Sequence, residues 1–343
     1  MTKMAFREFG VIALFAAMML LSLPLVAGFF GAWHPAFDSF AHFRVHLAVL
    51  MMLVALPLLM TSFRWQALAA LAFGLAALST TTASLGIGPV HAAFEPRTTD
   101  RPVYKMLQMN LRFDNATPEK VLSLVGRVQP DVITLEEVSN MWSGKLEPLF
   151  ARYPYRNFCS SPTGLFGVAV LSRRPFAEGT EPQCFDKRAM ALAKVDFGGR
   201  TADVAALHLG WPWPLEQSHQ IDELTGPLAT IDRNAILGGD FNATPWSAAV
   251  ARVAKAGGLK LMPPPGRTWL ERSLPEFLRF AGLTIDHVMA KGDVVVHSVQ
   301  MGEYAGSDHR PLLVEFSFRD SATNPEDSET QTVSRAIPTA ENG

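Results

Sequence analysis

Charge is what the first part of this chain lacks. No Asp, Glu, Lys or Arg lies between Glu8 and Asp38, between Arg44 and Arg64, or between Arg64 and Glu95. Gaps of this kind exclude an ordinary solvated helix, which needs a polar face toward water. Each gap is apolar and close to the length that crosses a bilayer as a helix. The pattern predicts three transmembrane helices, over about 11–31, 45–61 and 65–85, the second being the shortest. A secretory signal would also place Lys3 and Arg7 ahead of an apolar run, but this run is long for one and two more follow. An odd number of spans puts the two ends on opposite sides. Lys3, Arg7 and Arg64 favour the cytoplasmic side and Arg44 opposes them, so everything after the third span is expected outside, in the periplasm of a cell with a multi-pass inner-membrane anchor.

Cysteine is scarce too. Two in 343 residues exclude a disulfide-built scaffold, and no Cys/His cluster has zinc spacing. Cys159 and Cys184 both lie in the part expected outside, where a disulfide and a pair of buried free thiols remain equally open. A basic excess is also missing. Of 30 basic and 32 acidic residues, four basic (Lys3, Arg7, Arg44, Arg64) and two acidic (Glu8, Asp38) precede Glu95, which leaves 26 against 30 beyond it. That balance argues against a tight nucleic-acid binder, whose affinity rests on phosphate neutralisation, although a local basic groove is compatible with it. No internal repeat is visible.

Residues 95–105 are polar with two prolines and read as a linker, and 319–343 is poor in large apolar residues and reads as a disordered tail. Between them, 106–318 holds apolar strands at 106–111, 131–135, 167–172, 190–197, 202–208, 285–290, 294–299 and 312–318. Thr117 and Pro118 start a helix between the first two, and a strand, helix, strand order implies a parallel pair. Further helices are expected over 215–231 and 247–256, giving a two-sheet core with helices outside.

Chemistry concentrates in Gly238-Gly-Asp-Phe-Asn-Ala-Thr-Pro-Trp-Ser247. An apolar strand, 235–237, runs into two glycines, and Asp240 and Asn242 then alternate with Phe241, sharing one face of an extended chain. A carboxylate beside an amide suits activation of a water and the holding of a phosphate oxygen. Alone, the stretch is equally a Gly-Asp turn with Asn242 capping the next helix. Five more apolar strands end in polar groups, at Gln108 and Asn110, Glu136 and Glu137, His208, Asp286, and Asp308 with His309. Carboxylates at the ends of Val/Ile-rich strands are costly to bury unless paired or bound to metal. Six such ends in one domain point to a common site at one rim of a sandwich.

The order of these motifs resembles the endonuclease/exonuclease/phosphatase superfamily, whose fold is similar to that of deoxyribonuclease I, over 106–318. The resemblance implies a four-layer α/β sandwich, two packed β-sheets flanked by helices. It implies a metal ligand at Glu137, an asparagine beside that metal at Asn110, and Mg2+ or Mn2+ as the ion, both of which favour oxygen ligands. It implies that Asp240 holds the attacking water, that Asn242 fixes that water or a phosphate oxygen, and that His309 and His208 donate to the phosphate. Asp286 then holds His309 in its tautomer, and Asp308 is a ligand of this metal or of a second one. Whether Asp240 or His309 is the base stays open, as does the role of Glu136, which should face away from Glu137. His208 as a core histidine and Asp286 as a turn acid are the bland alternatives. His287 reads as structural; His91, His219 and His297 receive no role, and Trp211, Trp213 and Trp246 line a cleft or cover the core.

The expected protein is therefore a membrane-anchored, Mg2+-dependent hydrolase of phosphate esters. Its substrate is a nucleic acid, a phospholipid or a small phosphodiester, with phosphomonoesters also open, and its N-terminal helices meet the lipid bilayer. A non-catalytic tethered scaffold or receptor is the alternative.

Overall fold

Apolar side chains around every face shape the N-terminal part of the computed structural model, which describes residues 3–82, 94–97, 101–186 and 189–319. Helices α1 (Lys3–Ala27), α2 (Pro35–Ala41), α3 (Arg44–Ala55) and α4 (Arg64–Ser79) follow in order. Leu25, Ala48, Met51 and Ala77 meet between α1, α3 and α4, while Phe6, Leu20, Leu53 and Leu75 stay exposed on the outside. The expectation of three transmembrane helices needs correction. Among the described residues, only one helix, 6–27 within α1, is by itself long and apolar enough to cross a membrane. The second expected span breaks into α3 and a 3-10 turn, Leu56–Met60, where Pro57 has no N–H for the helical ladder. With α2 it forms a pair bent by 64° that passes the same test only when taken together. The third is a sixteen-residue helix, and its expected end near residue 85 lies outside the described residues. So do the tail from 320 onward and His91.

Beyond residue 101 the chain alternates strands with helices: β1 (Tyr104–Asn110), α5 (Pro118–Val128), β2 (Val132–Val138), α6 (Asn140–Lys145), β3 (Tyr155–Cys159), β4 (Gly167–Ser172), β5 (Gln183–Phe185), β6 (Met190–Asp196), β7 (Thr201–His208), α7 (Gln217–Ala229), β8 (Ala235–Asp240), α8 (Ala248–Gly257), β9 (Lys260–Leu261), β10 (Asp286–Lys291), β11 (Val294–Met301) and β12 (Leu312–Phe318). They form two six-stranded sheets, ordered β11-β12-β1-β2-β4-β3 and β5-β6-β7-β8-β10-β9. Each is mixed, with one parallel pair at its centre, β1 with β2 and β7 with β8. The α5 crossover behind the first pair is the one its Thr117-Pro118 start predicted, although the Thr117 side chain bonds Asn115 instead of capping the helix.

The sheets face each other across Met106, Val132, Val170, Val204, Ile236, Val288 and Phe316. Leu224, Leu228, Val250 and Val253 of α7 and α8 cover the second sheet, and Val121, Leu124 and Trp142 of α5 and α6 cover the first. Gly238 is needed where β8 crosses the other sheet, because a Cβ there would collide with Met106 and Thr134. Cys159 on edge strand β3 and Cys184 on edge strand β5 form a disulfide, Cα atoms 5.6 Å apart, so one bond ties the two sheets together. The short edge strands β3, β5 and β9 carry too few apolar residues to stand out in sequence.

The helical segment also docks on the sandwich. Asp38 accepts hydrogen bonds from the N–H groups of Ala248 and Ala249 in the first turn of α8, at 2.7 and 2.9 Å. Trp246 donates to the Ala41 carbonyl at 2.6 Å, and His42 Nδ1 accepts from Thr244 N at 3.2 Å.

Candidate active site

Three neighbouring strands of the second sheet bring a first group together. β7, β8 and β10 are adjacent, and their register sets His208 beside Asp240 and Asp286 on its other side. His309, from the loop before β12, closes the group: its Nδ1 lies 2.9 and 3.1 Å from the Asp286 oxygens, and its Nε2 faces Asp240 at 3.6 Å. His208 Nε2 approaches the same Asp240 oxygen to 3.8 Å. Thr268 Oγ1 accepts the backbone N–H of Asp286, and Gln108 Nε2 reaches an Asp286 oxygen at 3.1 Å.

The first sheet supplies the facing group. Asn110 closes β1, and its Nδ2 donates to both Glu137 (3.1 Å) and Asp240 (2.9 Å), tying the two sheets at the site. Its Oδ1 accepts the N–H of Arg112, so the expected oxygen ligand is instead an amide bridge between two carboxylates. Glu137 sits at φ 54° where the pairing of β2 with β4 shifts register between Leu135 and Val138. That left-handed backbone breaks the strand alternation. Glu136 keeps the side of Val132 and faces the space between the sheets, fully buried on Gln108 Nε2 (2.8 Å), while Glu137 turns to the cleft instead of pointing to the opposite face. Asn242 holds a second strained backbone, φ 47°, just after β8; Phe241 beside it is buried in the core. Its N–H donates to Asp240 Oδ1 and its Nδ2 to Leu209 O, both at 2.8 Å, which leaves its own Oδ1 toward the cleft. The cap of the following helix is Ser247, not Asn242.

These groups gather at one cleft of about 890 Å3. Glu137, His208, Asp240, Asn242, Asp308 and His309 line it together with Trp211 and Trp269, while Asp286 and Asn110 stand behind them. Asp308 accepts from Trp269 Nε1 at 3.3 Å. Trp213 and Trp246 lie at the junction with the helical segment and not in the cleft, and His287 is buried on the Ala243 carbonyl.

Burial sets the electrostatics. It pushes the Asp240 carboxyl up to about 6, against the pull of His309. Burial disfavours the His309 imidazolium, yet Asp286 and Asp240 outweigh it and hold the ring up to about 10. Asp286 stays below its ordinary range because His309 outweighs its own desolvation. Glu136, desolvated and close to Asp286, is pushed well up. His208 is pushed down by burial despite Asp240. A carboxylate that titrates near neutrality beside a permanent imidazolium suits proton removal and charge stabilisation at adjacent points.

The donor set also suits a hard cation. Asp240, Asp286 and His309 place ligand atoms within 4.8 Å of one another, but His309 Nδ1 is committed to Asp286. Glu137 is the better candidate, since its two oxygens meet only N–H donors, from Asn110 and Phe113, and no cationic side chain among the described residues. Among the described residues, the cleft lining holds six carboxylates (Glu137, Asp186, Glu216, Glu223, Asp240, Asp308) and no Lys or Arg.

A two-sheet sandwich with carboxylates and histidines gathered at one rim defines a hydrolase-like class. The chain belongs to the Endonuclease/Exonuclease/phosphatase family, whose profile matches residues 107–309. Members of this family are phosphoester hydrolases, generally metal-dependent. Its fold is similar to an endonuclease/exonuclease/phosphatase from Bacteroides vulgatus (15% identity, 64% of this chain and 100% of that one, TM-score 0.54). It is also similar to D. rerio TDP2 complexed with a single-strand DNA product (17%, 62% and 98%, TM-score 0.50). Sphingomyelinase C from Streptomyces griseocarneus aligns at 16% identity over 64% of this chain and 100% of that one, with a TM-score of 0.45. These likenesses concern the fold. No curated protein matches the chain.

Proposed function

We propose that the protein is a membrane-anchored phosphoesterase that hydrolyses phosphodiesters with Mg2+ or Mn2+. The observation that carries this reading is the row of His208, Asp240 and Asp286 closed by His309 and faced by Glu137 across the cleft. Asp240 accepts a proton from a water whose oxygen bonds to phosphorus while the P–O bond to the departing alcohol breaks; the departing oxygen takes a proton from solvent, and Asn242 orients the water or a phosphate oxygen through Oδ1. His309, kept protonated by Asp286, donates to the oxygens where charge builds, and His208 adds a second donor. Asn110 holds Glu137 and Asp240 at a set separation. A divalent ion held by Glu137, with Asp308 as a further oxygen donor, neutralises phosphate charge when bound.

The anchor reading covers residues 1–94, with α1 as the candidate span; the catalytic part is 106–318, after a linker. Arg44 donates to Gly28 O and Thr80 Oγ1, which holds the ends of α1 and α4 at one level. A disulfide between Cys159 and Cys184 supports a periplasmic catalytic domain, because such bonds persist in oxidising compartments.

The test uses the full chain in lipid nanodiscs, stripped with EDTA and resupplied with Mg2+ or Mn2+. Bis-p-nitrophenyl phosphate, p-nitrophenyl phosphate, plasmid DNA, single-stranded RNA and phospholipid are offered in turn. Metal-dependent turnover that falls by about a thousandfold or more in Asp240→Ala is expected. Turnover untouched by that substitution overturns the mechanism.

A further inference from the structure

Two loops form the side of the cleft nearest the helical segment. Residues 209–217 place Trp211 in the cleft, and residues 266–283 place Trp269 there. Each loop also touches the N-terminal helices. Ser39 in α2 donates to the Trp213 carbonyl at 3.1 Å, and the His34 ring packs edge-on against the Trp213 ring. His46 Nε2 lies 2.7 Å from the Ala281 carbonyl. His46 belongs to the first turn of α3, the helix that leads away from the sandwich along α1. The second loop therefore reaches past the level of Arg44, down to where the apolar surface of the helices begins.

Among charged side chains such as Arg272 and Glu276, these loops expose several large apolar ones. Phe277 and Phe280 are 75% and 73% exposed, and Trp211, Trp213 and Leu215 are each at least half exposed. Trp33, Phe40 and Phe43, on the turns that link α1 to α3, are exposed at the same end. A patch of this kind, continuous with lipid-facing helices and rich in Trp and Phe, has the composition of the aromatic belt at a membrane surface.

We infer that the loops 209–217 and 266–283 sit in the interfacial layer of the bilayer, with Phe277 and Phe280 inserted, so that the cleft opens at the membrane surface and takes an amphiphilic phosphate ester from the lipid plane. The inference rests on the anchored-phosphoesterase reading and adds where the substrate comes from. Its geometry follows from the docking contacts. Asp38, held on the Ala248 and Ala249 amides, and Trp246, held on Ala41, fix the sandwich against the helices, so the cleft cannot swing away from the bilayer on a flexible tether.

Both native cysteines are in the disulfide, so single introduced cysteines can carry a spin label. Phe280→Cys, Leu23→Cys on the exposed face of α1 and Lys145→Cys at the end of α6, over the first sheet, are labelled in the full chain and placed in phosphatidylcholine/phosphatidylglycerol nanodiscs. Collision with oxygen against a water-soluble nickel chelate reads depth. The label at 280 is expected to show an oxygen-to-nickel ratio several-fold above that at 145 and below that at 23. A ratio equal to that at 145 overturns the inference. A label at 23 that is as wet as that at 145 overturns the anchor reading and the inference with it.

The substrate arm compares phospholipid in vesicles with soluble bis-p-nitrophenyl phosphate. In the double variant Phe277→Ser, Phe280→Ser the ratio of vesicle to soluble turnover is expected to fall about tenfold. An unchanged ratio overturns the role of the two rings, and hydrolysis of nucleic acid with none of lipid overturns the substrate assignment. A wild-type chain that hydrolyses nothing refutes the phosphoesterase reading, while the label at 280 still decides the position of the loops.

Discussion

Replacing Asp286 with asparagine keeps the shape of the site and removes one charge. The amide oxygen still accepts the His309 Nδ1 proton, so the ring stays in place, but the imidazolium loses a carboxylate whose oxygens lie 2.9 and 3.1 Å away. Two unit charges about 3 Å apart interact by about 5 kcal/mol at an effective dielectric constant near 20, which corresponds to about four pH units. Asp240, at 3.6 Å, remains and returns part of this. His309, held up to about 10 in the native site, should therefore drop by about two to four units. Its folded pKa lies above the ordinary histidine value, so the charged form is present in the wild type at neutral pH and is lost only as pH rises through about 10. In Asp286→Asn that loss moves into the range of assay. Turnover of bis-p-nitrophenyl phosphate, followed from about pH 6 to 9 in the full chain, should stay near wild type at the acid end and fall by about ten- to a hundredfold at the alkaline end. Profiles that superpose, or a loss equal at every pH, refute the assignment of His309 as a donor kept charged by Asp286.

Glu137→Gln should raise the Mg2+ concentration for half-maximal activity by about tenfold or more, and an unchanged requirement removes Glu137 from the metal site. Because burial raises the Glu136 carboxyl well above its ordinary range, Glu136→Gln should change kcat by no more than about twofold, whereas a large loss means that its charge is used. His287, pushed down to about 4 by burial, takes up a proton only on unfolding below the ordinary value of 6.5. Its contribution is complete above 6.5 and lost as pH falls toward about 4, at most about 3 kcal/mol. Urea unfolding of His287→Leu should show a shallower fall of stability over that interval, and an identical slope refutes this account.

What the sequence determined by itself is local. The charge gaps marked the N-terminal helices, the alternation from residue 106 marked the long strands, and the polar ends at Asn110, Glu137, His208, Asp240, Asp286 and His309 marked one rim. Hydrophobic period and turn chemistry act over a few residues, so they are readable along the chain. Other features depended on partners distant in sequence. Strand alternation separates Glu136 from Glu137, and only the register shift against β4 turns Glu137 to the cleft. Asn110 carries an oxygen and a nitrogen, and the Arg112 amide decides which one faces the carboxylates. Gln108 and Trp269 gain their place from Asp286 and Asp308, and Asp38 from the first turn of α8. Even the length of a span was decided in three dimensions, where Pro57 ends the α-helical ladder of α3 and the bend before Arg44 turns the chain onto the sandwich. Register, amide orientation and docking are set by pairings between segments far apart in the chain, and such pairings leave no periodic trace in either segment alone.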